Sequence, residues 1–369
     1  KTSSFVREVL DAYGLEASEL LAETGFYVDV EGDRPGPTIA YRADMDALPI
    51  RDAKEDVSYA SKNEGVAHLC GHDAHTAIAL GTAIVLHQNR DRIEGRVRVF
   101  FQPAEESNPS GAPPMIEDGV LDGVDEAFAI HVDSSLPVGT FGLRSGPLTS
   151  STDAFRIFVR GRSTGHSARP YEADDTVWIA TQIAQTLYQL TGRIQDTRDP
   201  AVLTICRLRG GEALNVIPEE VELGGTLRCV SPDDRELLIE RIRRTGQKFG
   251  EMHEVDVDVE IDHGSPPVVN DAGLVEAVAQ TIRSEFGDEA IHWVPRPSMG
   301  GEDFAHYLNY VPGMLIRVGT SDGPDTSHPL HDSNFDISED ALPIAVQLMT
   351  RIVLDRLSAH AHSAGESAA

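Results

Sequence analysis

The sequence is poor in cysteine, in positive charge and in long apolar runs. Its 369 residues include three cysteines, an odd number and too few for a disulfide scaffold, so we expect a reducing, cytoplasmic location. Lysine and arginine total 31 against 60 acidic residues, and the net charge of −29 argues against nucleic acid and anionic lipid as partners. No run approaches the roughly 18 apolar residues of a membrane span, and the first residues lack the apolar core of a signal peptide. We therefore expect neither a nucleic acid nor a membrane as partner.

Lysine is especially scarce, with four residues beside 27 arginines. An acidic surface nearly free of lysine is consistent with a halophilic protein, because concentrated salt screens the self-repulsion of the surface. An ordinary acidic enzyme rich in arginine would have the same composition, so both interpretations stay open.

Two nucleotide-binding motifs are also missing from the sequence. It contains neither a Walker A loop nor a G-x-G-x-x-G fingerprint. Their absence excludes P-loop NTPases and Rossmann dehydrogenases.

Alternating strand-like and helical runs predict an α/β fold with a mostly parallel sheet. The strand-like runs are Thr38 to Arg42, Val97 to Phe101, Ala127 to Ile130 and Met314 to Val318. Ala74 to Leu86 is apolar on nearly every face, which is typical of a helix packed against a sheet. We expect the tail after about Leu357 to be frayed.

A different rhythm between about residues 149 and 264 predicts an inserted second domain. Its order is strand, helix, strand, strand, helix, strand, the βαββαβ pattern of a small two-layer domain. We therefore assign residues 1–148 and 265–369 to one discontinuous domain and 149–264 to the insertion, in which Cys206 and Cys229 are interpreted as buried apolar residues.

The densest group of potential metal ligands is the stretch His68-Leu-Cys70-Gly-His72-Asp73-Ala-His75. Cys70 and His72 precede the buried helix, for which Asp73 is the expected N-cap. The positive end of the helix would favour a thiolate at Cys70, the form that binds metal. A structural zinc knuckle would need further ligands at nearby spacings, so we expect distant segments to complete the site.

Those segments follow the other predicted strands, since open α/β sheets place their sites at the carboxyl ends of strands. Asp44 and Asp46 follow the first strand, and His131 follows the strand Ala127 to Ile130. The last strand leads to a loop with His328 and His331. A single histidine of this kind is more often a surface residue than a ligand, but here several strand ends supply Asp, Glu and His to one edge of the sheet.

Glu105 and Glu106 follow the apolar run that ends at Phe101. Adjacent residues in extended backbone point in opposite directions, so one glutamate can hold metal while the other faces substrate. A carboxylate beside such a site can act as general base toward water.

With these residues the sequence resembles the dinuclear metal amidohydrolases and carboxypeptidases, a family that includes hippurate hydrolase, N-acyl-L-amino-acid amidohydrolase and the indole-acetyl-amino-acid hydrolases. The matching stretches follow the family's order along nearly the whole chain. They are YRADMDALPI from Tyr41, HLCGHDAHTA from His68, FFQPAEE from Phe100, AIHVD from Ala129, GHSARP from Gly165, LNVIPEEVELGGTLR from Leu214, MGGEDFAHYL from Met299 and HPLHDSNFDI from His328.

The resemblance implies two divalent metal ions (Zn, Mn, Co or Ni) and a general base, Glu105. The implied metal ligands are Cys70, which is shared by both ions, His72, Glu106, His131 and His331. The inserted domain would be a lid that also forms a homodimer and offers His166 to the active site of the partner subunit. Asn215 and Arg228 match lid residues that contact substrate, although a purely structural role for them stays open.

The implied activity is cleavage of the amide bond between an acyl group and an amino acid. A carboxypeptidase or dipeptidase, or a non-catalytic binding protein, are the alternatives. Gly301 stands where the family often has serine, and Ser-Thr-Gly-His replaces the common Gly-Gly-His, which leaves acyl specificity open. The chain begins inside the family's usual second stretch, so we expect a further N-terminal segment.

Overall fold

The computed structural model describes residues 1–54 and 57–366. The chain forms two compact units: Lys1–Gly146, Val268–Arg296 and Asp303–Ala369 make the first, and Pro147–Pro267 with Pro297–Glu302 make the second. Residues 297–302 were expected in the first domain. They belong instead with the second unit, where the amide of Ser298 donates to the Leu148 carbonyl at 2.8 Å and Gly300 accepts from the Ser150 amide at 3.0 Å.

Helices and strands are numbered along the chain. The helices are α1 (Thr2–Ala12), α2 (His72–Gln88), α3 (Ala112–Glu117), α4 (Thr176–Arg193), α5 (Pro232–His253), α6 (Ala272–Phe286) and α7 (Ala341–Glu366). The strands are β1 (Phe26–Glu31), β2 (Arg34–Asp44), β3 (Glu94–Gln102), β4 (Glu126–Pro137), β5 (Phe141–Leu143), β6 (Gly146–Pro147), β7 (Asp153–Arg160), β8 (Gly165–His166), β9 (Ala201–Arg209), β10 (Val216–Ile217), β11 (Glu220–Cys229), β12 (Asp256–Asp262), β13 (Val269–Asn270), β14 (Ile291–Trp293) and β15 (Gly313–Ser321).

The first unit is built on a seven-stranded sheet in the order β1-β3-β2-β4-β15-β5-β14. The pairs β2–β3, β2–β4, β4–β15 and β5–β14 are parallel, and only β1–β3 and β5–β15 are antiparallel. Apolar side chains of α2, α6 and α7 pack with the central strands in one buried cluster. The α/β fold and its mostly parallel sheet are as predicted, and the parallel strands deliver their carboxyl ends to one edge.

The second unit has the element order β7-α4-β9-β11-α5-β12, with the short pair β8 and β10 in the connections. Its four-stranded antiparallel sheet has the order β12-β7-β11-β9, so β12 and β9 are the two edges. Buried residues of α4 and α5 pack on one face of this sheet. This is the predicted two-layer βαββαβ arrangement.

Two local predictions were wrong. Cys206 is exposed because it is the extra residue of a β-bulge on edge strand β9, between Ile205 and Arg207, whereas Cys229 is buried as expected. The tail after Leu357 is helical as far as Glu366, in keeping with the high helix propensity of its alanines. In the described part of the chain, no helix is both long and apolar enough to cross a membrane.

Candidate metal centre

Gly71 marks the start of helix α2 and fixes the approach of the cysteine that precedes it. Its backbone is left-handed, with φ of +83°, and an added Cβ would lie 2.3 Å from Cγ2 of Val132. The helix therefore begins at His72, and the prediction that Asp73 is its N-cap was wrong. Asp73 lies in the first turn and accepts a hydrogen bond from the Ala74 amide at 3.0 Å.

Cys70 lies between two histidines from distant parts of the chain. Its Sγ is 3.6 Å from Nε2 of His131 and 3.3 Å from Nε2 of His331. The same Nε2 of His331 is 2.9 Å from Oε1 of Glu106. His131 lies within β4 and not after it as expected, because that strand continues to Pro137. The middle of β4, the loop before α2, the loop after β3 and the loop after β15 therefore meet at one point.

His72 completes this group from the first turn of α2. Its Nδ1 lies 3.2 Å from Oδ1 of Asp46, and Oδ2 of the same carboxylate accepts from the Glu106 amide at 3.0 Å. Among the described residues no hydrogen-bond partner satisfies Nε2 of His72, although that atom is buried. A buried nitrogen without a partner is costly, and it fits a site where a cation would bind.

Three overlapping sets of side chains could each hold a metal ion, because the potential ligand atoms within each set lie within 4.8 Å of one another. The sets are Cys70 with His72 and His131, Cys70 with Glu106 and His331, and His72 with Glu105 and Glu106. We call Cys70, His72, Glu106, His131 and His331 the donor cluster. Thiolate, imidazole and carboxylate donors suit several divalent transition metals, so the donor cluster fits the implied ions.

Glu105 adjoins the donor cluster. Ala104 before it has a left-handed backbone, with φ of +59°, which turns the chain after β3. Oε1 of Glu105 accepts the Asp303 amide at 3.4 Å. The two glutamates thus differ in their described contacts, since Glu106 reaches His331 and Glu105 reaches a backbone amide.

The histidine tautomers follow from their hydrogen bonds. Nδ1 of His131 donates to the Val132 carbonyl at 2.8 Å, so its lone pair on Nε2 is directed toward Cys70. His75 uses both nitrogens, because Nδ1 donates to Asp44 at 2.6 Å and Nε2 accepts the Val132 amide at 2.9 Å. Both ring nitrogens of His75 are therefore engaged in hydrogen bonds that connect β2, α2 and β4.

Burial has opposite consequences for the ionisable groups here. It raises the pKa of Cys70 well above its usual range, and the nearby Glu106 raises it further, so the expected thiolate is not the favoured form in the protein without metal. Burial lowers the pKa of His131 to about 4. At His72 the same burial is outweighed by Asp44 and Asp46, which raise the pKa to about 9. A bound cation would take the place of these protons.

The remaining candidate residues of the first unit lie outside the donor cluster. His328 and His68 belong to none of the potential ligand sets found among the described residues. Asp46 is hydrogen-bonded to His72, and Asp44 is hydrogen-bonded to His75.

The second unit holds the three other candidates. His166 and Asn215 are brought together by the β8–β10 pair, in which Val216 faces His166 and the Ser167 amide donates to the Asn215 carbonyl at 3.1 Å. The His166 side chain is exposed, and its Nδ1 accepts the Ala168 amide at 3.1 Å. Arg228 donates from Nη1 to the Met299 carbonyl at 3.0 Å.

One tract of this unit has the spacing of a serine hydrolase motif. Residues Gly161 to Gly165 read G-x-S-x-G, but Ser163 is exposed on a loop between two strands. The nucleophile elbow requires a strand-to-helix turn, so this tract does not form one.

The family model for Peptidase family M20/M25/M40 matches residues 40–355. N-acetyl-L-cysteine deacetylase of Bacillus subtilis is 36% identical over 345 residues, 93% of this chain and 80% of that protein. Thermostable carboxypeptidase 2 of Saccharolobus solfataricus is 38% identical over 349 residues, 93% and 87% of the two chains. A dinuclear metal binding M20 peptidase of Bacillus subtilis superposes with a TM-score of 0.83 at 33% identity, covering 97% of this chain and 92% of the other. The chain therefore belongs to peptidase family M20/M25/M40 and is a hydrolase.

Proposed function

We propose that this hydrolase cleaves the amide bond between an acyl group and an amino acid, using two divalent ions held by the donor cluster. One observation carries the proposal. His131 and His331 converge on the thiol of Cys70, Glu106 contacts His331, and the unsatisfied Nε2 of His72 belongs to the same group. Cys70 lies between histidines on both sides, which supports its role as the shared ligand.

Each residue of the proposed site has a separate role in the reaction. Bound divalent ions would polarise the amide carbonyl and lower the pKa of water. Glu105 takes the proton from the attacking water and returns it to the leaving amine nitrogen, so that the C–N bond breaks with a neutral amine. His166 stabilises the negative charge that develops on the carbonyl oxygen. Asn215 and Arg228 orient the substrate.

Similarity to an N-acetyl-L-cysteine deacetylase favours N-acyl amino acids as substrates, and similarity to a carboxypeptidase keeps peptides as the second candidate. The protein should be loaded separately with Zn, Mn, Co or Ni and assayed for release of free amine. The substrates are N-acetylcysteine, other N-acetyl and N-benzoyl amino acids, and blocked dipeptides. We expect the highest kcat/KM on an N-acyl amino acid. Faster cleavage of the blocked dipeptides would establish the carboxypeptidase, and binding without turnover of any substrate would indicate a non-catalytic homologue.

We also infer that the second unit is a lid that dimerises. Its edge strand β9 exposes Val202 and Leu208, which are 44% and 55% accessible, and α4 exposes Tyr188. An open edge with apolar side chains can pair with another chain, and we propose a second copy as the partner.

The dimer would place His166 at the active site of the partner subunit. A mixture of His166→Ala and Glu105→Gln chains should then regain part of the activity, because one site of each heterodimer has both groups intact. Differently tagged chains purified in tandem would show that heterodimers form. Inactive heterodimers would remove His166 from a role in the partner's site.

A cytoplasmic location completes the proposal. All three cysteines are unpaired, including Cys206 on the exposed edge, which suits a reducing compartment. Fractionation of the native cells should place the activity with cytoplasmic markers, and activity in the extracellular fraction would contradict this.

A further inference from the structure

Arg42 is a buried arginine near the carboxyl end of β2. Its side chain is 1% exposed, and its guanidinium donates in three directions. Nε donates to Oε1 of Gln102 at 2.9 Å, Nη1 to Oδ2 of Asp44 at 2.6 Å and Nη2 to Oδ1 of Asp303 at 2.6 Å. All three acceptors are buried. A fully buried charge is tolerated only when it is paired and hydrogen-bonded by its neighbours.

One branch of this network leads to Glu105. Nε2 of Gln102 donates to both carboxylate oxygens of Asp303, at 2.9 and 2.7 Å, and the Ala112 amide donates to the same group at 3.1 Å. The backbone amide of Asp303 donates to Oε1 of Glu105 at 3.4 Å. Fixing the Asp303 side chain therefore fixes the amide that the Glu105 carboxylate contacts.

The other branch leads to the first turn of α2. Oδ1 of Asp44 accepts from Nδ1 of His75 at 2.6 Å, and its Oδ2 lies 3.8 Å from Nε2 of His72. The Asp44 carbonyl accepts from the Thr76 hydroxyl at 2.9 Å. Asp44 thus ties the end of β2 to the helix that carries one member of the donor cluster.

We propose that Arg42 is a positioning residue that couples the two halves of the active site, holding Asp303 for Glu105 and Asp44 for the first turn of α2. The role of Glu105 as general base, on which this inference rests, is the proposed function above. Lysine cannot replace Arg42, because its single ammonium lacks the planar fork that serves three acceptors at once.

The test is Arg42→Lys, with Arg98→Lys as the matched control. Arg98 lies on the neighbouring strand β3, is 4% exposed and pairs with both oxygens of Asp29 at 2.8 Å, away from the donor cluster. Both variants lose a buried arginine from the same sheet, so a general loss of stability should appear in both. Only Arg42→Lys should alter the site.

For Arg42→Lys at saturating metal we expect two ions per chain, KM within twofold of wild type, and kcat lowered ten- to about a hundredfold, the effect of a catalytic group displaced by about 1 Å. We also expect EDTA to remove metal several times faster than from wild type. Arg98→Lys should match wild type in both measurements. Asp303→Asn, which keeps the shape of the side chain, should lower kcat as Arg42→Lys does and serves if Arg42→Lys does not fold.

The metal-release comparison needs no substrate, so it stays informative even if wild type cleaves none of the N-acyl amino acids and the proposed function fails. Wild-type kcat and metal release in folded Arg42→Lys would overturn the positioning role. Equal losses in Arg42→Lys and Arg98→Lys would overturn it too, since they would indicate a purely structural effect.

Discussion

Two arginine–carboxylate groups, one in each unit, lie in opposite surroundings. In the first unit Arg42, Asp44 and Asp303 are each at most 1% exposed. In the second unit Arg160 and Glu220, on neighbouring strands, are 39% and 49% exposed at a distance of 2.6 Å. Surface pairs of the second kind contribute about 0 to 1 kcal/mol, whereas removing one partner of a buried pair costs roughly 3–5 kcal/mol. Loss of one partner should therefore cost more stability at Arg42 than at Arg160.

The contrast predicts that side chains near the donor cluster tolerate little change and that comparable groups of the second unit tolerate more. Two buried cysteines, one in each unit, give the largest expected difference. Cys70→Ala should lose bound metal and all measurable hydrolysis, because alanine supplies no ligand. Metal analysis of dialysed protein and an activity assay would measure both.

Cys229→Ala is the control for this change, since Cys229 is buried in the second unit. Its metal content and kcat should stay within twofold of wild type. Two ions and near-normal turnover in Cys70→Ala would show that the ligand assignment is wrong.

The second largest effect should separate the two adjacent glutamates. Glu105→Gln keeps size and shape but cannot take a proton, so we expect kcat to fall by roughly 10² to 10⁴ while the metal stays bound. Glu106→Gln should lose metal instead, because its carboxylate contacts His331 within the donor cluster. Metal content and kcat of both variants decide the assignment, and the reverse pattern would exchange the two roles.

Two glycines extend the comparison to the backbone. Gly71→Ala would place a Cβ 2.3 Å from Val132 at a φ of +83°, and we expect a loss of about 2–4 kcal/mol in unfolding free energy from strain and overpacking. Gly192 in α4 has no atom within 4 Å of an added Cβ, so Gly192→Ala should gain up to about 1 kcal/mol.

Urea unfolding in EDTA would measure both glycine variants without the contribution of bound metal. The chain has two tryptophans, Trp178 in the second unit and Trp293 in the first. Trp178→Phe therefore leaves a fluorescence probe of the first unit, and Trp293→Phe leaves one of the second. A Gly71→Ala midpoint equal to that of its parent would disprove the backbone argument.

The smallest expected effect per group concerns the exposed charges. Salt screens attractive surface pairs, but with a net charge of −29 the repulsion among acidic residues is larger, and the Debye length falls from about 10 Å at 0.1 M to 3 Å at 1 M. We expect the melting temperature of the metal-saturated protein to rise between 0.2 and 2 M KCl. A flat or falling curve would exclude the halophilic interpretation and leave the hydrolase assignment unaffected.

Patterns of short range were sufficient to predict much of the architecture. The apolar runs at β2, β3, β4 and β15 predicted the central strands, and the clustering of ligand types at their ends predicted which loops meet. The antiparallel edge strand β1 was not predicted, although Phe26, Val28 and Val30 alternate with less buried residues as in a half-buried strand.

The supporting role of Arg42 was missed, although its partner Asp44 was a candidate. Both stand in the buried second half of β2, and a charged pair at such positions was the one available signal. Their third partner, Asp303, lies 261 residues further along the chain, so the sequence pattern offers no indication of the contact. Likewise, burial and the nearby Glu106 raise the pKa of the Cys70 thiol, and neither contact can be read from the sequence around the helix end.

The discontinuity of the first unit has a consequence for how the protein is made on the ribosome. Strand β15 lies between β4 and β5 in the sheet, and His331 follows β15, yet both are synthesised after the whole of residues 147–267. The second unit can thus begin to fold while the central sheet still lacks a strand. A nascent chain that stops short of His331 would lack one member of the donor cluster, so we expect hydrolytic activity only after His331 has been synthesised.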